Sequence, residues 1–297
     1  MRTFGRLCAV GWILLIACQE QLGAQASTAP SASLFLQSAA RSLTHVLEQC
    51  GTSRAVADFL CSQRQNLSYL LIDAQSGTVL PSDWPGSETP IPMGSLVKPF
   101  TALAYGEKHE FKYPVHVCRG TASACWLPRG HGEMRLDTAI ANSCNAYFSA
   151  LTRNMRASDV RPVALMFGLE QPDAHSSDAS LAGMGAHWPI SPLAMARAYV
   201  ELSHRFQQPG VGQILAGMEQ SSRVGTGAAV GRALTKTTAL VKTGTAPCTH
   251  PKRAPGDGFA IVMVPADHPE ILLMVRMHGM PGSRAARVAG ELLRQIQ

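Results

Sequence analysis

The chain is poor in charge, holds only six lysines, and has no long apolar run beyond its first 26 residues. Each shortage narrows the possibilities. Charged residues make up 15% and hydrophobic residues 46% of the 297 positions, a balance that excludes an intrinsically disordered chain. The length suits one large domain or two small ones with a substantial core. No segment after residue 26 is apolar for long enough to span a bilayer. The formal net charge is +6, but the basic residues are mostly arginine, scattered, and not interleaved with aromatics. That argues against nucleic acid as a partner and leaves a solvated basic surface. Internal repeats are missing, and the only biased tract is the Ser/Ala/Pro/Thr-rich stretch 27–33. Gly225-Thr226-Gly227 with Gly231 hints at a phosphate loop, but no Gly-Lys-Ser/Thr follows.

What is present begins with an export signal. Arg2 and Arg6 form a short basic region, Leu7 to Ala17 is an apolar run, and Ala24-Gln25-Ala26 offers a small-residue cleavage site. Leu15-Ile16-Ala17-Cys18 also has the form of a lipid-attachment site, so membrane attachment by a lipid on Cys18 stays open beside the favoured cleavage after Ala26. Either route places the protein outside the cytoplasm, in the periplasm or cell envelope. Removing residues 1–26 takes two positive charges and one negative away from +6 and leaves +5. Cys50, Cys61, Cys118, Cys125, Cys144 and Cys248 remain, and six cysteines in an exported chain suggest disulfides. Local spacing favours Cys50–Cys61 and Cys118–Cys125. These pairs are eleven and seven residues apart, wider than the usual spacer of a zinc site, so no metal is expected.

The elements follow from periodicity. Residues 27–66 read as a linker and a helical segment, with Leu36, Leu43, Val46 and Leu47 on one stripe. Tyr69 to Asp73 reads as a buried strand and Ser76-Gly77 as a hairpin turn into Thr78-Val79-Leu80. A helix is expected from Ser95 to Tyr105, irregular chain over 107–135, and helices over 136–150 and 192–206. Strands return over 239–245, 259–264 and 271–277, before a helix over 285–297. This order predicts an α/β fold of the α+β kind: an antiparallel sheet flanked by helices, with an inserted helical lobe and a cleft between lobe and sheet.

Three short motifs carry chemistry. Ser95-Leu96-Val97-Lys98 puts a hydroxyl and an amine on one helical face, where the lysine can act as the base that a serine nucleophile needs. At a helix start, Ser95 also has free N–H groups and the positive end of the dipole beside it. Lys98 works as a base only if its pKa falls, through burial and a neighbouring cation such as Lys242. Ser143-Cys144-Asn145 supplies a hydroxyl relay and an amide that can hold substrate backbone. Lys242-Thr243-Gly244-Thr245 reads as an edge strand whose glycine admits a close backbone and whose hydroxyls and charge suit a carboxylate. His131 has at most a minor positioning role, and Cys144 reads as a small buried residue.

The ordered triplet, with His131-Gly132, the flanks Ala139 to Phe148 and Ser191 to Tyr199, and Gly225-Thr226-Gly227 before Lys242, resembles the penicillin-binding protein and serine β-lactamase superfamily. It is most similar to the transpeptidase domains of the large penicillin-binding proteins, over about residues 67–297. The resemblance implies a serine D,D-transpeptidase or D,D-carboxypeptidase that acts on D-Ala-D-Ala stem peptides of peptidoglycan through an acyl-enzyme at Ser95, with β-lactam antibiotics as inhibitors and no cofactor. It implies catalytic roles for Ser95, Lys98, Ser143, Asn145, Lys242 and Thr243, and substrate contacts at Gly244 and Thr245. The backbone N–H groups of Ser95 and Thr245 would form the oxyanion hole. A non-catalytic β-lactam or muropeptide sensor, or an accessory subunit, is the alternative. A β-lactamase fits less well. No asparagine stands four residues after Glu170, and Asn145 replaces the valine of the class D enzymes. The large transpeptidases also carry an anchor and an N-terminal pedestal, whereas about 40 residues separate the signal from the first strand here, which points to a free-standing or accessory enzyme.

Overall fold

Strands whose side chains are apolar at nearly every position make a sheet that must be covered on both faces. The computed structural model describes Arg41, His45, Leu60 and residues 62–248 and 255–295. The expected helical segment over 34–60 and the expected Cys50–Cys61 pair therefore lie outside the described residues, Leu60 and the two isolated positions apart. In chain order the elements are β1 (Leu67–Asp73), β2 (Ile91–Pro92), a 3-10 turn (Gly94–Val97), α1 (Lys98–Lys108), β3 (His116–Cys118), a second 3-10 turn (Gly120–Ser123) and β4 (Gly132–Met134). The helical lobe continues with α2 (Leu136–Ala141), α3 (Asn145–Thr152), α4 (Ala157–Met166), α5 (Asp178–Leu181), β5 (Pro189–Ile190), α6 (Pro192–His204), α7 (Val211–Val224) and α8 (Ala228–Ala233). Strands β6 (Leu240–Ala246), β7 (Asp257–Val264) and β8 (Ile271–Met277) and helix α9 (Gly282–Arg294) complete the described chain.

The main sheet is antiparallel in the order β1-β8-β7-β6, with Leu67 opposite Met277 and Thr245 opposite Gly258. Alternation along its strands sorts side chains into two cores. Leu70, Ile72, Phe259, Ile261, Met263, Leu272 and Met274 face the helical lobe. Tyr69, Leu71, Ala260, Val262, Leu273 and Val275 face α9, which returns Ala285, Val288, Ala289, Leu292 and Leu293 at helical spacing. Each fully buried Leu or Phe contributes about 1.5–3 kcal/mol relative to leaving it in water.

Three expectations are modified. The turn at Ser76-Gly77 forms, with Gly77 N–H on the Asp73 carbonyl, but the return strand is reduced to a bridge between Ile72 and Val79. The stretch 107–135 holds a short hairpin, β3 with β4, that its three-residue strands did not announce. The helix expected over 136–150 is broken at Asn142–Cys144, where Ser143 adopts φ +48°. That left-handed conformation is costly for a residue with a Cβ, and it turns α3 away from α2.

Candidate active site

Helix α1 is the spine of the site. Pro99 is set at its start, where a missing N–H costs nothing, and Lys98, Phe100, Thr101, Ala102 and Leu103 are buried. Phe100 packs edge-on against Phe167 and Tyr199, and the Tyr199 hydroxyl donates to the Leu96 carbonyl at 2.8 Å. Thr101 donates to the Leu181 carbonyl at 2.6 Å. The turn Gly94–Val97, which carries Ser95, is thereby fixed from beneath. From the side it meets β6: a Cβ on Gly244 would fall 2.8 Å from the Met93 carbonyl oxygen and 3.3 Å from Leu96 N, and a Cβ on Gly94 would strike the Thr245 carbonyl. Gly244 thus lets the strand press onto the turn that carries Ser95, in addition to lining the cleft.

Ser95, Ser143, Asn145, Thr243, Gly244 and Thr245 all line one cleft of about 840 Å³ between the lobe and the edge strand β6. Lys98 and Lys242 lie just beneath it, both fully buried. The Lys98 amine donates to the Ser143 carbonyl at 2.8 Å and to Asn145 Oδ1 at 2.8 Å, with Ser143 Oγ at 3.4 Å. Lys242 donates to the same Ser143 Oγ at 3.0 Å and to the Thr243 carbonyl at 2.8 Å. Two amines therefore converge on one hydroxyl. Burial pulls the Lys98 pKa down to about 7, while the nearby Cys144 and Cys125 sulfurs act in the opposite direction. Burial, and then the charge of Lys98, hold Lys242 well below the ordinary lysine value.

The pairing of Ser95 with Lys98 differs from the expected helical one. Ser95 sits in a 3-10 turn and Lys98 opens the α-helix, so the Lys98 hydrogen bonds go to Ser143 and Asn145 and none joins it to the Ser95 hydroxyl among the described residues. Thr243 Oγ1 is spent on Thr226 Oγ1 at 2.6 Å, and Thr245 Oγ1 accepts from the Gly282 N–H at 3.0 Å. Among the cleft-lining residues that sequence reasoning missed are Trp126, Arg232 and Arg287. Their positions depend on the β3–β4 arm, α8 and α9, and no local motif marks them. Thr226, noted only within a glycine-rich tripeptide, lines the cleft as well. Glu170 accepts from the Ser191 N–H at 3.1 Å and does not line it.

The expected Cys118–Cys125 disulfide is not formed. Both are free thiols, as is Cys144. The hairpin of β3 and β4 gathers the first two with Cys144 around His131 instead, and burial holds the His131 pKa below its ordinary value, with the charge of Lys98 acting the same way.

The family model described as the penicillin binding protein transpeptidase domain matches residues 71–297. No curated protein matches the sequence. Among solved structures, the chain is similar to Pseudomonas aeruginosa PBP2, with a TM-score of 0.67 and 16% identity over 86% of this chain and 73% of that one. The transpeptidase domain of penicillin-binding protein 3 from Burkholderia pseudomallei gives a TM-score of 0.63 at 17% identity, over 88% and 92% of the two chains. The transpeptidase domain of the FtsI4 D,D-transpeptidase from Legionella pneumophila gives 0.58 at 17% identity, over 88% and 96%. At such identities these likenesses describe the fold.

Proposed function

The chain belongs to the penicillin-binding protein transpeptidase family, and from that premise we propose that it is a serine acyltransferase acting on D-Ala-D-Ala stem peptides of peptidoglycan. The observation that carries the reading is the buried pair of amines meeting at Ser143 beneath a cleft that Ser95 also lines. In this mechanism the Ser95 hydroxyl attacks the carbonyl of the penultimate D-alanine and passes its proton to the Lys98 amine, which its burial leaves about half unprotonated near pH 7. The negative charge that develops on the carbonyl oxygen is met by the backbone N–H groups of Ser95 and Thr245. Donors of that kind are each worth about 3 kcal/mol. Ser143, in contact with both lysines, relays a proton to the departing D-alanine nitrogen, and Asn145 holds substrate backbone. Thr245 and the Lys242 charge receive the terminal carboxylate, and Thr243 joins them by giving up its bond to Thr226. Water or an amine then takes the acyl group from Ser95. A β-lactam follows the same first step and stays attached, because the deacylating glutamate of a β-lactamase has no counterpart at Glu170.

We place this activity outside the cytoplasm, following the export signal at residues 1–26, with residues 67–297 as the catalytic unit. No described helix is long and apolar enough to cross a membrane. The test is labelling with a fluorescent penicillin, read by gel and by intact mass. Wild-type protein is expected to take up one label, and Ser95→Ala none; an unlabelled wild type sinks the proposal. Mass spectrometry of a D-Ala-D-Ala pentapeptide incubated with the enzyme, with and without an amine acceptor, then separates transfer from hydrolysis. Acylation without release of D-alanine would mark a sensor.

A further inference from the structure

Four side chains outside the proposed reaction converge on one point beside the cleft. Cys118 ends β3, Cys125 follows the second 3-10 turn, His131 precedes β4, and Cys144 lies at the junction of α2 and α3. Their ligand atoms all lie within 4.8 Å of one another, and the three thiols are buried. His131 Nδ1 stands 3.5 Å from both Cys118 Sγ and Cys125 Sγ, and Cys125 Sγ is 3.9 Å from Cys144 Sγ. A tetrahedral zinc ion with Zn–S near 2.3 Å and Zn–N near 2.0–2.1 Å spaces its ligands at about 3.8 Å between sulfurs and about 3.5 Å from sulfur to nitrogen. The observed separations match both. A disulfide fits worse, since its sulfurs would need to close to about 2.05 Å and one buried thiol would be left over from three.

The surroundings point the same way. The backbone N–H groups of Leu127, Asn145 and Ala146 lie against the Cys125 sulfur and direct their partial positive charge at it. Nε2 of His131 is buried without a protein partner, so no protein acceptor fixes the ring from that side. By contrast, in the other cluster of metal-binding types among the described residues, Cys248 and His278 both bond to Asp257, whose charge Arg276 already meets.

We propose that Cys118, Cys125, His131 and Cys144 form a closed structural zinc site that anchors the Ser143–Asn145 corner of the cleft. Three thiolates and one imidazole fill all four positions, so the ion has no open position for a water or a substrate. Binding releases the three thiol protons to solvent and leaves a complex of net charge −1. Three ligands come from the β3–β4 arm and the fourth from between Ser143 and Asn145, so the ion joins the arm to the residues that hold the Lys98 amine. Trp126, next to Cys125, adds a hydrogen bond from its indole N–H to the Asn142 carbonyl at 3.1 Å.

The test uses the full chain, purified without chelator from zinc-supplemented cells. Elemental analysis is expected to find one zinc per chain. Exchange for Co2+ is expected to give sulfur-to-cobalt charge-transfer absorption together with the intense visible bands of tetrahedral cobalt. Folded protein without zinc, an intact mass two protons light from a disulfide among the three cysteines, or a cobalt spectrum without sulfur ligation would each overturn the site. These readouts need no variant to fold and no penicillin to react. Stripping the metal is expected to slow penicillin acylation about 10- to 100-fold, with recovery on adding Zn2+, because small displacements of positioning groups cost that much. An unchanged rate would overturn the anchoring role.

Discussion

A lysine amine sealed from water gives up its proton more readily than one in solvent, and Lys98 is sealed completely. With its pKa near 7, the base proposed for Ser95 is protonated in mild acid and free in mild alkali. The second-order rate of penicillin acylation is therefore expected to rise with pH, reaching half its plateau near pH 7, and to fall about tenfold for each unit below that. A stopped-flow series from about pH 5 to about pH 9 checks it; a flat profile would remove Lys98 as the base. Linkage has a definite sign as well. The unfolded chain keeps this proton up to 10.5 and the native one releases it near 7, so between those values Lys98 makes the native state gain stability as pH rises. Individual residues of the cleft were legible because hydroxyl, amine and amide stand at short, fixed separations. Their partners were not. The i, i+3 argument assumes one continuous helix through Ser95 and Lys98, and the change from a 3-10 turn to an α-helix between them redirects the amine. The cysteine cluster was hidden for a related reason: its ligands stand seven, six and thirteen residues apart, spacings that only a folded hairpin brings together.

At the level of elements, the turn that carries Ser95 and the edge strand β6 share one contact surface, and glycine makes it possible. Replacing Gly244 by alanine puts a methyl group 2.8 Å from the Met93 carbonyl oxygen and 3.1 Å from Leu96 Cγ, so strand and turn must separate. Gly244→Ala is expected to cost about 1–3 kcal/mol in chemical denaturation, as overpacked sites do, and to slow acylation more than that loss alone explains. A variant with wild-type stability and wild-type acylation would show that the surface is looser than described. The strands of the sheet and helices α6 and α9 were legible, since runs such as Phe259 to Val264 and the stripe on α9 keep one periodicity from end to end, whereas α7 (Val211–Val224) was not anticipated. The break between α2 and α3 was not. No glycine or proline marks it, and the apolar pattern continues across Ser143; only the backbone conformation at that residue interrupts the helix.

On the scale of the whole molecule, one carboxylate ties the late strands together. Asp257, at the start of β7, accepts from Arg276 Nε on β8 at 2.9 Å and from the Cys248 thiol beyond β6 at 3.0 Å, and pairs with His278 Nδ1 at 2.7 Å. Asp257→Asn removes the anionic partner of a largely buried guanidinium and is expected to cost about 3 kcal/mol, measured as a shift in the denaturant midpoint with its slope unchanged. A shift of a few tenths would mean that Arg276 finds water instead. The α+β architecture with its inserted lobe was legible from element order, because early and late strands separated by helices leave few other arrangements. The order of the strands has a further consequence, for synthesis. Because β8 lies between β1 and β7, the first strand of the sheet has only its bridges to Val79 and Asp83, and no full strand beside it, until nearly the last described residues exist. Pairing over such a separation is slow, and unpaired edges attract other strands. A ribosome stalled before Ile271, or a protease cutting there, would leave β1 and β7 with open flanks, and the nearest strand able to close them would belong to another molecule.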